Sequence, residues 1–151
     1  TAVVDLDASK LETAKKLGAD LCVNSSKCDA PEAIREATGG RGADIAMEAV
    51  GIGPTMQGAI ASLRKGGSCT LVGNLAKTVE MPLQEVVTRQ ISLIGTCASA
   101  GEYPACLDLI ARGVIDVDCL ISEVKPLNQG AEWFARLYKG VEGLTKVILK
   151  P

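Results

Sequence analysis

Short aliphatic segments alternate with amphipathic segments along almost the whole of this 151-residue chain. Leu11, Ala14 and Leu17 recur at helical spacing in the first amphipathic segment, and Gly18 follows where a helix commonly ends. Such alternation is typical of β-α-β units, whose parallel strands are joined by right-handed helical crossovers. The sequence therefore predicts an α/β fold with a doubly wound parallel sheet.

Glycine, proline and polar clusters set the predicted element boundaries. A helix that follows the third strand is expected to stop at Gly66-Gly67, and a short extended piece is expected near Leu120-Ile121. The predicted strands are Ala2–Val4, Leu21–Val23, Asp44–Val50, Ser68–Gly73, Ser92–Thr96 and Lys146–Leu149, and the predicted helices are Ala8–Leu17, Pro31–Ala37, Thr55–Leu63, Pro82–Thr88, Glu102–Ala111 and Leu127–Lys139.

Composition excludes several classes of partner. Aromatic residues make up 3% of the chain, and the formal net charge is −2 without a basic block. Base stacking needs aromatic rings and phosphate backbones need clustered cations, so no nucleic-acid partner is expected. No apolar run reaches the roughly 18 residues that cross a bilayer, and no signal peptide is visible, so we expect no membrane partner and a cytoplasmic location.

The cysteines are expected to be structural. The chain has six of them at irregular spacings, and it has no histidine. A zinc site made by this chain alone is not expected, because closed zinc sites usually show closely paired ligands. We predict instead that the thiols are small buried hydrophobic groups. These residues are Cys22, Cys28, Cys69, Cys97, Cys106 and Cys119.

The carboxyl ends of the predicted strands are where a parallel sheet binds ligands. Asp5 ends the first strand, and it could accept hydrogen bonds from an adenosine ribose or cap the following helix, a role that Asp7 or Ser9 fits equally well. Gly51 and Gly53 form a G-x-G, but the complete phosphate-binding turn G-x-G-x-x-G is missing. The residues at the strand ends are Asp5, Val50-Gly51, Gly73-Asn74 and Thr96-Cys97.

Four segments resemble the cofactor-binding domain of medium-chain dehydrogenases, most closely the zinc-dependent alcohol, polyol and threonine dehydrogenase branch. They occur in the family's order, at the family's separations, and the resemblance covers essentially the whole chain. The segments are residues 4–19 with Val4-Asp5 and Leu17-Gly18-Ala19, residues 44–51 with the pattern D-x-x-x-E-x-x-G, residues 63–73 with Leu71-Val72-Gly73, and the C-terminal Lys146–Pro151.

This resemblance implies a Rossmann-like domain that binds NAD. Asp5 would bind the adenosine ribose and select NAD over NADP, with Lys10 beside the same ribose. Val50 and Gly51 would line the adenine side, and Lys146 would meet the pyrophosphate. Val72 and Gly73 would present their backbone to the nicotinamide. Thr96 and Cys97 would lie near its carboxamide.

The resemblance also implies what the chain does not carry. Residues 1–151 would be a partial NAD-binding domain without its first strand and glycine-rich turn, and the catalytic zinc domain would be absent. The parent would transfer hydride between NAD and a secondary alcohol or polyol, with zinc polarising the oxygen. This chain would contribute no catalytic residue and no metal ligand, and it would form a homo-oligomer through the edge strand near Ser92–Thr96.

Two alternatives remain open. The chain could be a non-catalytic nucleotide-binding or assembly module. It could also belong to a zinc-free relative such as a quinone reductase, although Asp5 argues against that alternative. The absent first strand normally lies at the centre of the sheet. Its place could be filled by a longer parent, filled by another chain, or closed by direct pairing of the two inner strands.

Overall fold

The computed structural model describes residues 1–141 and 143–151, and it divides the chain into two compact units. Residues 1–11 and 19–98 form the first unit, and residues 12–18 and 99–151 form the second. Helix α1, Ala8–Lys16, crosses this division.

Two parallel sheets form the frame of the first unit. Strands β1, Ala2–Asp5, and β2, Leu21–Asn24, pair with each other. A three-stranded sheet has the order β3-β4-β5, with β3 at Ala43–Glu48, β4 at Leu63–Leu71 and β5 at Ser92–Gly95. The connecting helices are α2, Ala30–Ala37, α3, Gly53–Ser62, and α4, Leu83–Thr88. The predicted α/β class with parallel strands is therefore confirmed.

Local sequence explains where α2 begins and where α1 ends. Asp29 caps α2, since its carboxylate accepts the Glu32 N–H at 3.0 Å, and Pro31 lies in the first turn. Gly18 follows α1 with a φ of 97°, a left-handed conformation that glycine adopts without steric cost.

The main hydrophobic core lies between α3 and the three-stranded sheet. Ile60 on α3 and Cys69 on β4 are 0% exposed, and Leu63 is 1% exposed. Met56 and Ile91 complete the buried cluster. This core fixes α3 against the sheet, and α3 begins in the turn that follows β3.

The predicted break at Gly66-Gly67 is wrong. Strand β4 starts at Leu63, directly after α3, so Gly66-Gly67 lies inside a strand and does not form the predicted break. Ala43 pairs with Leu63, but the next pair is Ile45 with Ser68, which makes β4 bulge. Gly66 takes the left-handed φ of 71° within the bulge. A bulge is a property of the paired strands, and hydrophobic periodicity in one strand does not reveal it.

Strands β1 and β3 do not pair with each other. In the part of the chain that the structure describes, β1 is hydrogen-bonded only to β2, and β3 only to β4. Direct pairing of the two inner strands, one of the three possibilities left open by the sequence, is therefore not what this chain adopts. Apolar side chains on β3 stay exposed, with Ile45 at 66% and Met47 at 71%.

In the second unit, the described part of residues 99–151 contains a two-stranded parallel sheet and two α-helices. Strand β6, Ile121–Pro126, pairs with β7, Lys146–Lys150, so the predicted extended piece is a full strand. Helix α5 spans Tyr103–Ala111, and α6 spans Gly130–Tyr138 after a 3₁₀ turn rather than starting at Leu127. Trp133, 6% exposed, has Arg136 Cζ 4.1 Å and Lys125 Nζ 4.9 Å from its ring centroid, which are cation–π distances.

The cysteine prediction is mostly wrong. All six thiols are free, but only Cys69 is buried, and Cys22 is half-buried. The other four lie in loops, in a short 3₁₀ turn or on α5, which has no buried residue. These exposed residues are Cys28, Cys97, Cys106 and Cys119. Among the described residues, no helix combines the length and apolarity that a bilayer crossing requires.

Candidate functional site

Two turns meet at the carboxyl ends of β3 and β4. A Cβ atom on Gly73 would lie 2.1 Å from the Gly51 nitrogen and 2.3 Å from the Val50 carbonyl carbon. A Cβ on Gly51 would lie 2.3 Å from the Asn74 nitrogen, and Gly51 also has a φ of 84°. The two backbones are thus in direct contact, and neither position has room for a side chain.

Glu48, the last residue of β3, hydrogen-bonds to both turns. Its carboxylate accepts the N–H of Val50 at 3.0 Å and of Gly51 at 2.8 Å. Its backbone carbonyl accepts the N–H of Val72 at 2.8 Å and of Gly73 at 3.0 Å. The carboxylate also accepts the Thr55 hydroxyl at 2.7 Å, which connects the turn to the first turn of α3. Glu48 therefore fixes the relative position of the two strand ends.

Electrostatics keep Glu48 charged in this buried place. Burial alone raises the pKa of Glu48, but the hydrogen bonds from Thr55, Gly51 and Val50 outweigh it and hold the pKa below its ordinary value. Burial and the nearby Glu48 charge raise the pKa of the Cys69 thiol. At neutral pH the site therefore contains a carboxylate, and the adjacent thiol stays protonated.

The end of β5 joins the same group of turns. The Thr96 N–H and hydroxyl both donate to the Leu71 carbonyl at 3.1 Å, directly before Val72. Cys97 follows and is exposed. The structure therefore brings together most of the predicted site residues of the three-stranded sheet, namely Val50, Gly51, Val72, Gly73 and Thr96, with Cys97 adjacent in sequence.

Asp5 and Lys10 lie on the other sheet of the first unit and its following helix. Asp5 is half-buried at the end of β1, where its carboxylate accepts the Asp7 N–H at 2.9 Å. Asp7 in turn accepts the Ser9 N–H at 2.8 Å in the first turn of α1, so Asp7 fills the capping role that competed for Asp5. Lys10 is exposed on α1, and Lys146 is exposed as the first residue of β7 in the second unit.

These features fit a dinucleotide. Val50 and Val72 are 46% and 47% exposed beside the glycine backbones, so they offer apolar surface to a flat ring. An acid at a strand end, such as Asp5, suits a ribose diol. For a metal the fit is absent, since the described residues contain no group of three His, Cys, Asp or Glu side chains that could hold an ion.

Sequence reasoning missed the roles of Glu48 and Thr55. The sequence does contain a signal for them, because an acid lies three positions before the first glycine of G-x-G, and a hydroxyl residue follows two positions after the second glycine. An acid at that point can accept the free N–H groups of the turn and of the helix start.

The parallel α/β frame with close glycine turns at its strand ends defines a nucleotide-binding class of domain. Within that class, residues 1–112 match the family model described as zinc-binding dehydrogenase, and this chain belongs to that family. The predicted resemblance is thereby confirmed. The family depends on NAD or NADP, and its zinc is held in a catalytic domain.

Individual relatives agree with this membership. The chain is 33% identical to the sorbitol dehydrogenase of Bacillus subtilis over 99% of its own length and 42% of that protein. It superposes on the 2R,3R-butanediol dehydrogenase of Bacillus subtilis with a TM-score of 0.88 at 28% identity, covering 99% of this chain and 43% of the other. It superposes on an NAD-dependent alcohol dehydrogenase with a TM-score of 0.84 at 29% identity, covering 99% of this chain and 43% of the other. The chain thus spans less than half the length of the relatives it matches.

Proposed function

We propose that the natural protein containing residues 1–151 is an NAD-dependent, zinc-type dehydrogenase that transfers hydride between NAD and a secondary alcohol or polyol. This chain supplies cofactor binding. The observation that carries the proposal is the direct contact of Gly51 with Gly73 at the carboxyl ends of two parallel strands. The sorbitol and butanediol dehydrogenases among its relatives support a diol or polyol as substrate.

Each predicted site residue then has a defined part. When bound, NAD supplies the hydride-accepting nicotinamide ring. Asp5 accepts hydrogen bonds from the adenosine ribose and repels a 2′-phosphate, with Lys10 beside that ribose. Val50 and Gly51 line the adenine, Val72 and Gly73 present backbone to the nicotinamide, and Thr96 and Cys97 lie near its carboxamide. Lys146 attracts the pyrophosphate. No catalytic or zinc-binding role falls to this chain.

Replacing Asp5 by alanine tests the cofactor assignment. We expect NAD binding by the natural protein to weaken about 10- to 100-fold, because hydrogen bonds to a charged group contribute about 1.5–3 kcal/mol. NADP binding should not weaken, since the lost carboxylate no longer repels the 2′-phosphate. Isothermal titration with NAD and NADP measures both changes.

Asp7→Ala is the matched control for Asp5→Ala. It removes an acid of the same loop that caps α1, so it should lower the stability of that helix without changing the preference for NAD. An unchanged preference in Asp5→Ala would show that Asp5 does not select the cofactor. Absence of NAD and NADP binding by the unaltered protein would contradict the proposed function itself.

The exposed edge of β5 supports the further proposal of a homo-oligomer. Within the described residues β5 pairs only with β4, and Ile94 on β5 is 50% exposed. An edge strand of this kind can pair with its copy across a two-fold axis. We propose that Ser92–Thr96 forms this contact.

A charge on the edge strand tests the oligomer. Ile94→Lys should convert a dimer into a monomer in sedimentation velocity, because a buried lysine at the interface would lose its hydration. Val87→Lys is the control, since Val87 is 65% exposed on α4. A natural protein that sediments as a monomer, or a dimer that survives Ile94→Lys, would contradict the proposed contact.

A further inference from the structure

Glu48 is the one charged side chain that the described part of the chain buries, with 3% of its surface exposed. Burying a carboxylate is unfavourable unless hydrogen bonds replace its hydration. Here the Val50 N–H, the Gly51 N–H and the Thr55 hydroxyl supply them, all within 3.0 Å. The charge is therefore satisfied, and its cost is offset by groups from the turn after β3 and from the first turn of α3.

The Glu48 carboxylate is the one acceptor that all three donors share within the described residues, although the Thr55 hydroxyl also lies 3.0 Å from the Ile52 carbonyl. Val50 and Gly51 follow the strand, where the ladder to β4 has ended at Glu48 and Leu71. The residue at the start of α3, Ile52, provides no side-chain cap to the helix. Without the carboxylate, the N–H groups of Val50 and Gly51 would have to bind water or the turn would have to rearrange, because a buried N–H group without a partner is unfavourable. The conformation of the turn thus depends on residue 48.

The second turn depends on the same residue through its backbone. The Glu48 carbonyl accepts the N–H groups of Val72 and Gly73, so a shift of residue 48 moves both turns together. The tolerance for such movement is small, because Gly51 and Gly73 are already in contact through their backbones. Glu48 itself is too buried to meet a ligand in solvent.

We propose that Glu48 is the positioning residue of the nucleotide site, and that its carboxylate sets the affinity for NAD by holding Val50-Gly51 against Val72-Gly73. The inference rests on the proposed NAD-binding function and extends it to a residue that acts through others. Thr55 shares the role, since its hydroxyl orients the carboxylate from the first turn of α3.

Glu48→Gln gives the direct test in the natural protein. The amide keeps the size of the side chain but replaces one accepting oxygen with a donor, which faces the N–H groups of the turn. NAD affinity measured by isothermal titration should fall about 10- to 100-fold. Hydrogen exchange of the Gly51 amide should accelerate in the absence of NAD, a readout that needs no catalysis.

Ser62→Ala is the matched control for a loss of stability alone. Ser62 is the other buried polar side chain among the described residues, at 5% exposure, and its hydroxyl donates to the Gly58 carbonyl at 2.7 Å, away from both turns. This variant should keep the NAD affinity and the Gly51 exchange rate of the unaltered protein. Equal NAD affinity in Glu48→Gln and the unaltered protein would overturn the proposal.

A pair of substitutions at Thr55 decides the matter if Glu48→Gln does not fold. Thr55→Ser keeps the hydroxyl and should keep the NAD affinity, whereas Thr55→Val removes it at constant shape and should weaken binding about 10-fold. Equal affinities in the two variants would overturn the proposal. If the unaltered protein binds neither NAD nor NADP, the proposed function fails and this inference fails with it. NAD binding that is insensitive to residues 48 and 55 refutes the inference alone.

Discussion

Gly73→Ala is expected to destabilise the first unit by about 3 kcal/mol or more and to abolish nucleotide binding. Overpacking a well-packed site usually costs about 1–3 kcal/mol when side chains can move aside. At Gly73 the added Cβ would meet the Gly51 nitrogen at 2.1 Å and the Val50 carbonyl carbon at 2.3 Å, and both are backbone atoms. Relief therefore requires the two turns to separate, which also breaks their hydrogen bonds to Glu48. Urea unfolding followed by circular dichroism measures the change.

Gly58→Ala is the control, and it should act in the opposite direction. Gly58 lies inside α3, and a Cβ there would meet nothing within 4 Å. Alanine in a helix interior is favoured over glycine by about 0.5–1 kcal/mol, so this variant should be slightly more stable. If Gly73→Ala were as stable as the unaltered chain, the close contact of the two turns would be wrong, and the site built on it would lose its geometry.

The alternation of strands and helices could be predicted because each element carries its own periodicity. The boundaries at Ala8, Leu21 and Ser92 follow from local turn residues and agree with the structure. The bulge in β4 could not be predicted in this way, since it depends on the pairing of Ala43 and Ile45 with a neighbouring strand. The burial of cysteines failed for a related reason: composition says that thiols tolerate a core, but only the fold decides which of them reach it.

The candidate site shows the same division between local and nonlocal information. The positions of Val50-Gly51 and Val72-Gly73 at strand ends follow from the rule for parallel sheets, and the structure places them together. The hydrogen bonds that hold them there come from Glu48 and involve residues up to 25 positions away. A sequence shows an acid at that point, but it does not show that the carboxylate turns inward. Whether Asp5 binds a ribose stays a prediction.

Ile60→Ala is expected to lower the free energy of unfolding by about 2–5 kcal/mol, which is the usual cost of truncating a fully buried isoleucine. Ile60 is 0% exposed on α3 and packs in the cluster with Leu63 and Cys69. The cavity would lie between α3 and the three-stranded sheet. These elements hold the turn after β3 in place. Hydrogen exchange at the β4 amides and urea unfolding report the loss.

An isoleucine-to-alanine substitution on the exposed sheet surface is the control. It shows how much of the loss at Ile60 comes from the cavity and how much from the change of residue type. Ile45→Ala on β3, where the side chain is 66% exposed, should cost less than about 1 kcal/mol through strand preference alone. A similar loss at both positions would mean that α3 is not packed on the sheet as described. A large loss at Ile60 alone, accompanied by faster exchange of the Gly51 amide, would show that this core supports the geometry of the two turns.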